Sequence, residues 1–215
     1  PPQGNVAVIS LKGEISVDGL QSYLNQGVSS HKVVSLIEKA GKDGMQAIIF
    51  EINSPGGSAV ASYEIADAIA RAQEKNITTV AVIHEVGASG AYWIASATDH
   101  IIANELSLTG SIGVISSYLQ FEGLLKRYNV TYQRLVAGEL KDAGSPFKEL
   151  TPFEREKLQQ KLGIIHQVFI EQVAKNRDLP VENVQQIADG FVYLGAEAVE
   201  LGLIDQLGGM EEAKA

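Results

Sequence analysis

The chain has 215 residues, 45% of them hydrophobic and 20% charged, which suffices for one well-buried core of ordinary globular composition. Net charge is −9 and the 17 basic residues are scattered, so nucleic acid, which needs a concentrated basic face, is not an expected partner. With no cysteine, disulfides, thiolate nucleophiles and cysteine-ligated zinc are excluded, and no apolar run reaches the roughly 18 residues that span a bilayer.

Short runs rich in branched residues predict strands at 6–11, 47–52, 79–83, 100–103 and 131–136. Between them, 58–75 reads as a helix with Val60, Tyr63, Ile65, Ala66, Ile69 and Ala70 broadly on one face, and 88–97 and 117–128 read similarly. Alternating strand and helix points to an α/β fold. The near-continuous apolar run 47–50 fits a sheet covered on both faces, and crossover helices make that sheet largely parallel. A long helix is predicted over 151–177, with Thr151 as N-cap, Pro152 in the first turn and Glu154 completing a capping box. Leu158, Leu162, Ile165, Val168, Phe169 and Val173 form its apolar face, for packing on the sheet or on a neighbouring subunit, and Gly163 marks a bend or a close contact. Two short helices follow at 182–188 and 196–201. There is no internal repeat, and a single domain is expected over 1–215.

Three segments carry chemistry. Ser89 lies in Gly87-Ala88-Ser89-Gly90-Ala91 directly after a predicted strand, where a strand-to-helix turn exposes a hydroxyl and small neighbours leave room for substrate. The alternative is a helix cap. Asn53-Ser54-Pro55-Gly56-Gly57-Ser58 also joins a strand to a helix, and its glycines either aim bare amides at an oxyanion or make a tight turn. Lys141, in a loop of small and breaker residues before the long helix, is a candidate base for Ser89. A lysine accepts a proton only when neutral, which demands desolvation; the plain alternative is a surface pair with Asp142 or Glu139. Ser111, in Thr109-Gly110-Ser111-Ile112-Gly113, is either an orienting hydroxyl for that amine or a local turn group. A Ser–His arrangement of His84 with Asp67 or Asp99 is the competing catalytic reading. No other histidine pair has metal-ligand spacing, so neither a metal nor any other cofactor is expected.

These motifs, in this order and joined by Gly138-Glu139-Leu140-Lys141-Asp142-Ala143-Gly144-Ser145-Pro146-Phe147, strongly resemble the signal peptide peptidase A (SppA) family from about residue 6 to residue 209. The resemblance implies a Clp-protease or crotonase-like α/β fold and a serine endopeptidase that degrades remnant signal peptides and other unfolded apolar peptides. It further implies Ser89 as nucleophile, Lys141 as general base and Ser111 as the lysine-orienting hydroxyl. Amides of Gly56 or Gly57 and of Gly90 would be the oxyanion donors. Ring-like or bowl-shaped homo-oligomers are implied, as is an N-terminal membrane anchor, absent from these residues, that holds the protease outside the cytoplasm. Starting at Pro1, the chain is read as trimmed from a longer parent and soluble as it stands. The competing classes are a crotonase-like acyl-CoA hydratase or isomerase and a noncatalytic oligomeric scaffold.

Overall fold

A computed structural model describes residues 4–19 and 27–215. It divides into two compact units, one built from the described residues up to Gly113 together with Val168–Ala215, the other from Val114–Gln167.

The first unit is organised by a mostly parallel sheet. Its path runs through β1 (Val6–Lys12), β4 (Ala47–Ser54), β5 (Thr78–Ala88), β6 (His100–Ala103) and β9 (Gln206–Leu207), all parallel. Between β1 and β4 lie a two-residue parallel pair, β2 (Ile15–Ser16) with β3 (Val28–Ser29), and helix α1 (Ser30–Lys42), which was not foreseen. Helix α2 (Ala59–Gln73) connects β4 to β5, and α3 (Gly90–Ser96) connects β5 to β6. Ile48, Ile49, Phe50 and Ile52 of β4 are all buried, as a strand covered on both faces requires. Ile65, Ile69, Tyr92 and Ile94 join Ile48, Phe50 and Ile52 in one core, where the Tyr92 hydroxyl donates to the Leu203 carbonyl at 2.8 Å and burial raises its pKa.

β5 is twice the length expected because it has two neighbours in succession. Val80–Ile83 pair with β6, and Val86–Ala88 pair with β7 (Leu108–Gly110), a strand read from sequence as loop. An antiparallel strand, β8 (Val192–Leu194), closes against β7.

In the second unit, α4 (Glu122–Arg127) is shorter than the helix expected over 117–128, and 131–136 is not a strand. Its alternating pattern has no strand partner among the described residues, and Leu135 is 96% exposed, so β-propensity alone does not make a strand there. Helix α5 (Pro152–Arg177) starts with the anticipated capping box: Thr151 N–H donates to Glu154 Oε2 at 3.0 Å and Glu154 N–H to Thr151 Oγ1 at 3.2 Å. The apolar face is buried only toward its end. Phe169, Ile170 and Val173 lie in the first unit's core, whereas Leu158 and Ile164 are exposed. No atom lies within 4 Å of the Cβ position of Gly163, so it makes no close contact.

Helix α6 (Val181–Ile187) follows, and α7 (Gly195–Glu200) and α8 (Met210–Lys214) flank β9. Arg177 fastens this region by donating to the Gly202 carbonyl at 3.1 Å and to both Asp205 oxygens at 3.0 and 2.6 Å. No helix among the described residues is long and apolar enough to cross a membrane.

Candidate active site

Turns at the carboxyl ends of neighbouring parallel strands are the usual place for a site in such a sheet, and here the β4–α2 and β5–α3 turns meet. β4 and β5 pair in register as far as Ile52, after which the register shifts and Ser54 faces Gly87. Asn53 bridges the irregularity, its Oδ1 accepting the Val86 N–H at 3.2 Å. Beyond it the chain is zipped to residues 13–15. Gly13 N–H donates to the Asn53 carbonyl (3.1 Å), Ile15 N–H to the Gly56 carbonyl (2.8 Å) and Ser58 N–H to the Ile15 carbonyl (2.8 Å). A Cβ on Gly57, whose φ is +152°, would lie 2.1 Å from the Ile15 carbonyl oxygen, so only glycine fits.

Ser89 has φ 53° and ψ −126°, a conformation a non-glycine residue adopts at a cost of about 1–3 kcal/mol. Neighbours impose it. Ser89 N–H donates to the Gly110 carbonyl at 2.8 Å, which explains why β7 matters, and the Ser89 carbonyl accepts the Trp93 N–H at 3.0 Å in the first turn of α3. Ser89 stands at the N-cap position, yet its side chain makes no capping hydrogen bond, and its half-exposed Oγ has no partner among the described residues. Gly56 packs directly on this turn: a Cβ there would lie 2.7 Å from Gly90 N and 2.9 Å from Ser89 Cβ.

The two glycines of the β4–α2 turn differ. Gly56 N–H donates to Ser54 Oγ at 3.1 Å. Gly57 N–H has no acceptor among the described residues and its nitrogen lies 3.3 Å from the Cβ position of Gly90, whose own N–H is equally unengaged in the open first turn of α3. Ser111 follows β7, also with left-handed φ (52°); its N–H donates to the Phe191 carbonyl at 2.8 Å and its hydroxyl to the Gly190 carbonyl at 3.0 Å, which leaves the oxygen's lone pairs for another donor.

Lys141 belongs to the second unit and is exposed. It forms no surface pair with Asp142 or Glu139. Arg134 has those partners instead, with Nε and Nη2 2.6 and 2.9 Å from the Asp142 carboxylate and Nη2 2.8 Å from the Glu139 carbonyl, so the turn is gripped on both sides of Lys141. The Arg134 hydrogen bonds hold the Asp142 carboxyl below the usual carboxylate range. Lys148 adds a contact to Asp142 at 3.7 Å and pairs with the buried Glu154. Sequence reading missed this role of Arg134, which lay inside a predicted strand with nothing in its spacing to mark it.

Neither Asp67 nor Asp99, the acids of the Ser–His reading, pairs with His84. His84 Nε2 lies 3.1 Å from Glu51 Oε1, and Lys12, 3.1 Å from the same carboxylate, holds that acid below its ordinary pKa. Asp99 accepts from Thr79 N–H and Oγ1 at 2.8 and 2.9 Å, and Asp67 pairs with Arg71. Among the described residues no group of three histidine or acidic side chains could hold a metal ion.

The sequence profile of peptidase family S49 matches residues 71–215, which include Ser89, Ser111 and Lys141. This chain belongs to peptidase family S49. A candidate protease of Methanocaldococcus jannaschii is 32% identical to this S49 chain over 97% of it and 68% of the relative. A candidate signal peptide peptidase SppA of Enterococcus faecium is 34% identical over 97% of the chain and 61% of the relative. The chloroplastic serine protease SPPA of Arabidopsis thaliana is 30% identical over 98% of the chain and 31% of its own length. The S49 chain thus spans between about a third and two thirds of these relatives.

Proposed function

We propose that this S49 chain is a serine endopeptidase in which Ser89 is the nucleophile, Lys141 the general base, Ser111 the hydroxyl that orients the amine, and the Gly57 and Gly90 amides the oxyanion donors. The observation that carries the reading is the Ser89 turn. A hydroxyl free of internal bonds, held at a strained bend, has beside it two amides with no acceptor, and together they suit attack on a carbonyl and stabilisation of the resulting anion.

As Ser89 Oγ attacks the carbonyl carbon, its proton passes to the neutral Lys141 amine and the carbonyl oxygen becomes an anion facing the two N–H groups. The C–N bond breaks, the lysine ammonium returns the proton to the departing amine, and an acyl ester remains on Ser89. Water then attacks that ester as its proton goes to Lys141, the ester C–O bond breaks, and the lysine ammonium passes that proton to Ser89 Oγ, which restores the hydroxyl and the neutral amine as the carboxylic product leaves. Lys141 is exposed in the single chain, so the loss of charge this requires needs a cover. A neighbouring copy is the cover we propose. The second unit's exposed Ile115 (85%), Leu119 and Leu135 are the apolar side chains such a homo-oligomer would cover.

For substrate we propose unfolded apolar peptides, remnant signal peptides among them. The Enterococcus relative is named for signal peptides, and apolar side chains along residues 114–120 suit an extended hydrophobic segment. Membrane attachment through a segment outside this chain is part of the same proposal.

The test is fluorophosphonate labelling and turnover of an unfolded apolar polypeptide by the assembled protein and its Ser89→Ala, Lys141→Ala and His84→Ala variants. Ser89→Ala and Lys141→Ala should abolish turnover while His84→Ala keeps it within about twofold, because residues outside the machinery contribute little to the barrier. Loss with His84→Ala alone would restore the Ser–His reading. A wild-type protein with neither adduct nor turnover would leave the scaffold reading.

A further inference from the structure

Ser54 is fully buried, and no role follows for it from the chemistry above. Its hydroxyl makes two bonds with opposite sense: it donates to the Gly13 carbonyl at 2.6 Å and accepts the Gly56 N–H at 3.1 Å. The hydroxyl hydrogen is therefore committed to Gly13 and a lone pair to Gly56. Around it, the Gly56 carbonyl accepts from Ile15 and the Ser58 N–H donates to Ile15. The Gly56 N–H, the Gly56 carbonyl and the Ser58 N–H are thus tied down, and of the backbone donors from Gly56 to Ser58 the Gly57 N–H is the one left without an acceptor among the described residues.

The Gly56 N–H lies in the Pro55–Gly56 peptide and the Gly57 N–H in the Gly56–Gly57 peptide, and with both glycines at positive φ either plane can turn without meeting a side chain of the two glycines. A flip that turned Gly56 N–H outward would have to break its bond to Ser54 Oγ in a buried place, where an unsatisfied group is costly. We propose that Ser54 is the positioning residue of the oxyanion site: by holding the Gly56 amide inward it presents the Gly57 amide, paired with that of Gly90, to the anion that forms on the substrate. Ser54 touches no reacting atom, and its effect reaches the reaction only through the orientation of the next peptide planes. This rests on the serine-peptidase reading of Ser89.

The test separates a positioning role from a merely structural one by comparing ligands that do and do not place an oxyanion. Wild type, Ser54→Ala, Ser54→Cys and Ser54→Thr are assayed in assembled form with a peptide amide, with a peptide aldehyde that forms a hemiacetal on the serine, and with the matching peptide alcohol that cannot. Ser54→Ala is expected to lower kcat about 10- to 100-fold, less than outright loss of a donor, with KM within about twofold. Aldehyde affinity should weaken in step while alcohol affinity stays. Ser54→Thr, which keeps the hydroxyl, should recover most of kcat, and Ser54→Cys, close to serine in size but a weak acceptor, should fall between. Should the alanine variant fail to fold, the cysteine variant carries the comparison by the same aldehyde-to-alcohol ratio.

An unchanged ratio in the variants, or wild-type kcat in Ser54→Ala or Ser54→Cys, overturns the proposal. Persistent turnover in Ser89→Ala would instead overturn the reading of the site itself, and the two failures are distinguished by that one variant.

Discussion

Replacing Phe169 by alanine probes the link between the long helix and the turn that bears Ser89. The Phe169 ring is 2% exposed and stacks on Trp93, with centroids 4.5 Å apart and planes within 8°. Trp93 is itself buried in the core. Its indole N–H is buried without a hydrogen-bond partner among the described residues, and it also meets the half-exposed Tyr63 edge-on at 6.1 Å. Trp93 in turn closes the first turn of α3 onto the Ser89 carbonyl. Truncating a buried phenylalanine costs about 3–5 kcal/mol, the transfer of the ring plus the cavity it leaves. For a chain of this size each kcal/mol moves the melting temperature by about 2–4 °C, so Phe169→Ala should melt roughly 10 °C below wild type. Lys175→Ala, at an exposed position of the same helix, should remain within about 0.5 kcal/mol of wild type. Calorimetry or thermal melts of the assembled protein give the first readout, and the rate of fluorophosphonate labelling at a temperature where both variants are folded gives the second. Phe169→Ala should label more slowly than Lys175→Ala. A melting shift below about 2 °C, within the range of a surface change, would refute burial of this part of α5 in the first unit's core.

The clamp on the loop of Lys141, the proposed base, should be visible in kinetics. Arg134→Ala removes three hydrogen bonds from the residues flanking Lys141, and small displacements of a catalytic group are costly, so kcat should fall about 10- to 100-fold with the melting temperature little changed, as read by steady-state rates beside a thermal melt. Acid stability should report Glu154, whose carboxyl is held below its ordinary value of 4.5 first by Lys148 and then by the Thr151 N–H. A depressed acid contributes stability that is fully present above its unfolded pKa and is lost as pH falls through the lower folded value; the loss therefore lies below pH 4.5. Denaturation midpoints measured from neutral pH downward should decline less steeply in that window for Glu154→Gln than for wild type, and parallel acid limbs would contradict the assignment.

Much of this protein is written in local pattern. Apolar continuity marked β4 as a strand covered on both faces, and the Thr151–Glu154 spacing placed the start of α5, because a strand's burial and a helix cap depend on residues a few positions apart. Glycine and serine in strand-to-helix turns likewise marked Ser89, Gly56 and Gly57 as candidates, since that chemistry demands small residues at those bends. Pairing was not legible. β7 is three residues long and exists because β5 runs far enough to accept it, whereas 131–136 has a better strand pattern and no partner. Tertiary contacts also decided between alternatives that composition leaves equal: Glu51 draws off His84, Arg134 occupies the partners Lys141 lacks, and Ser54 takes the Gly56 amide but not that of Gly57. A hydrogen-bonding group's partner is fixed by which distant segment folding brings within about 3 Å of it, and that information resides in the packing of the whole chain.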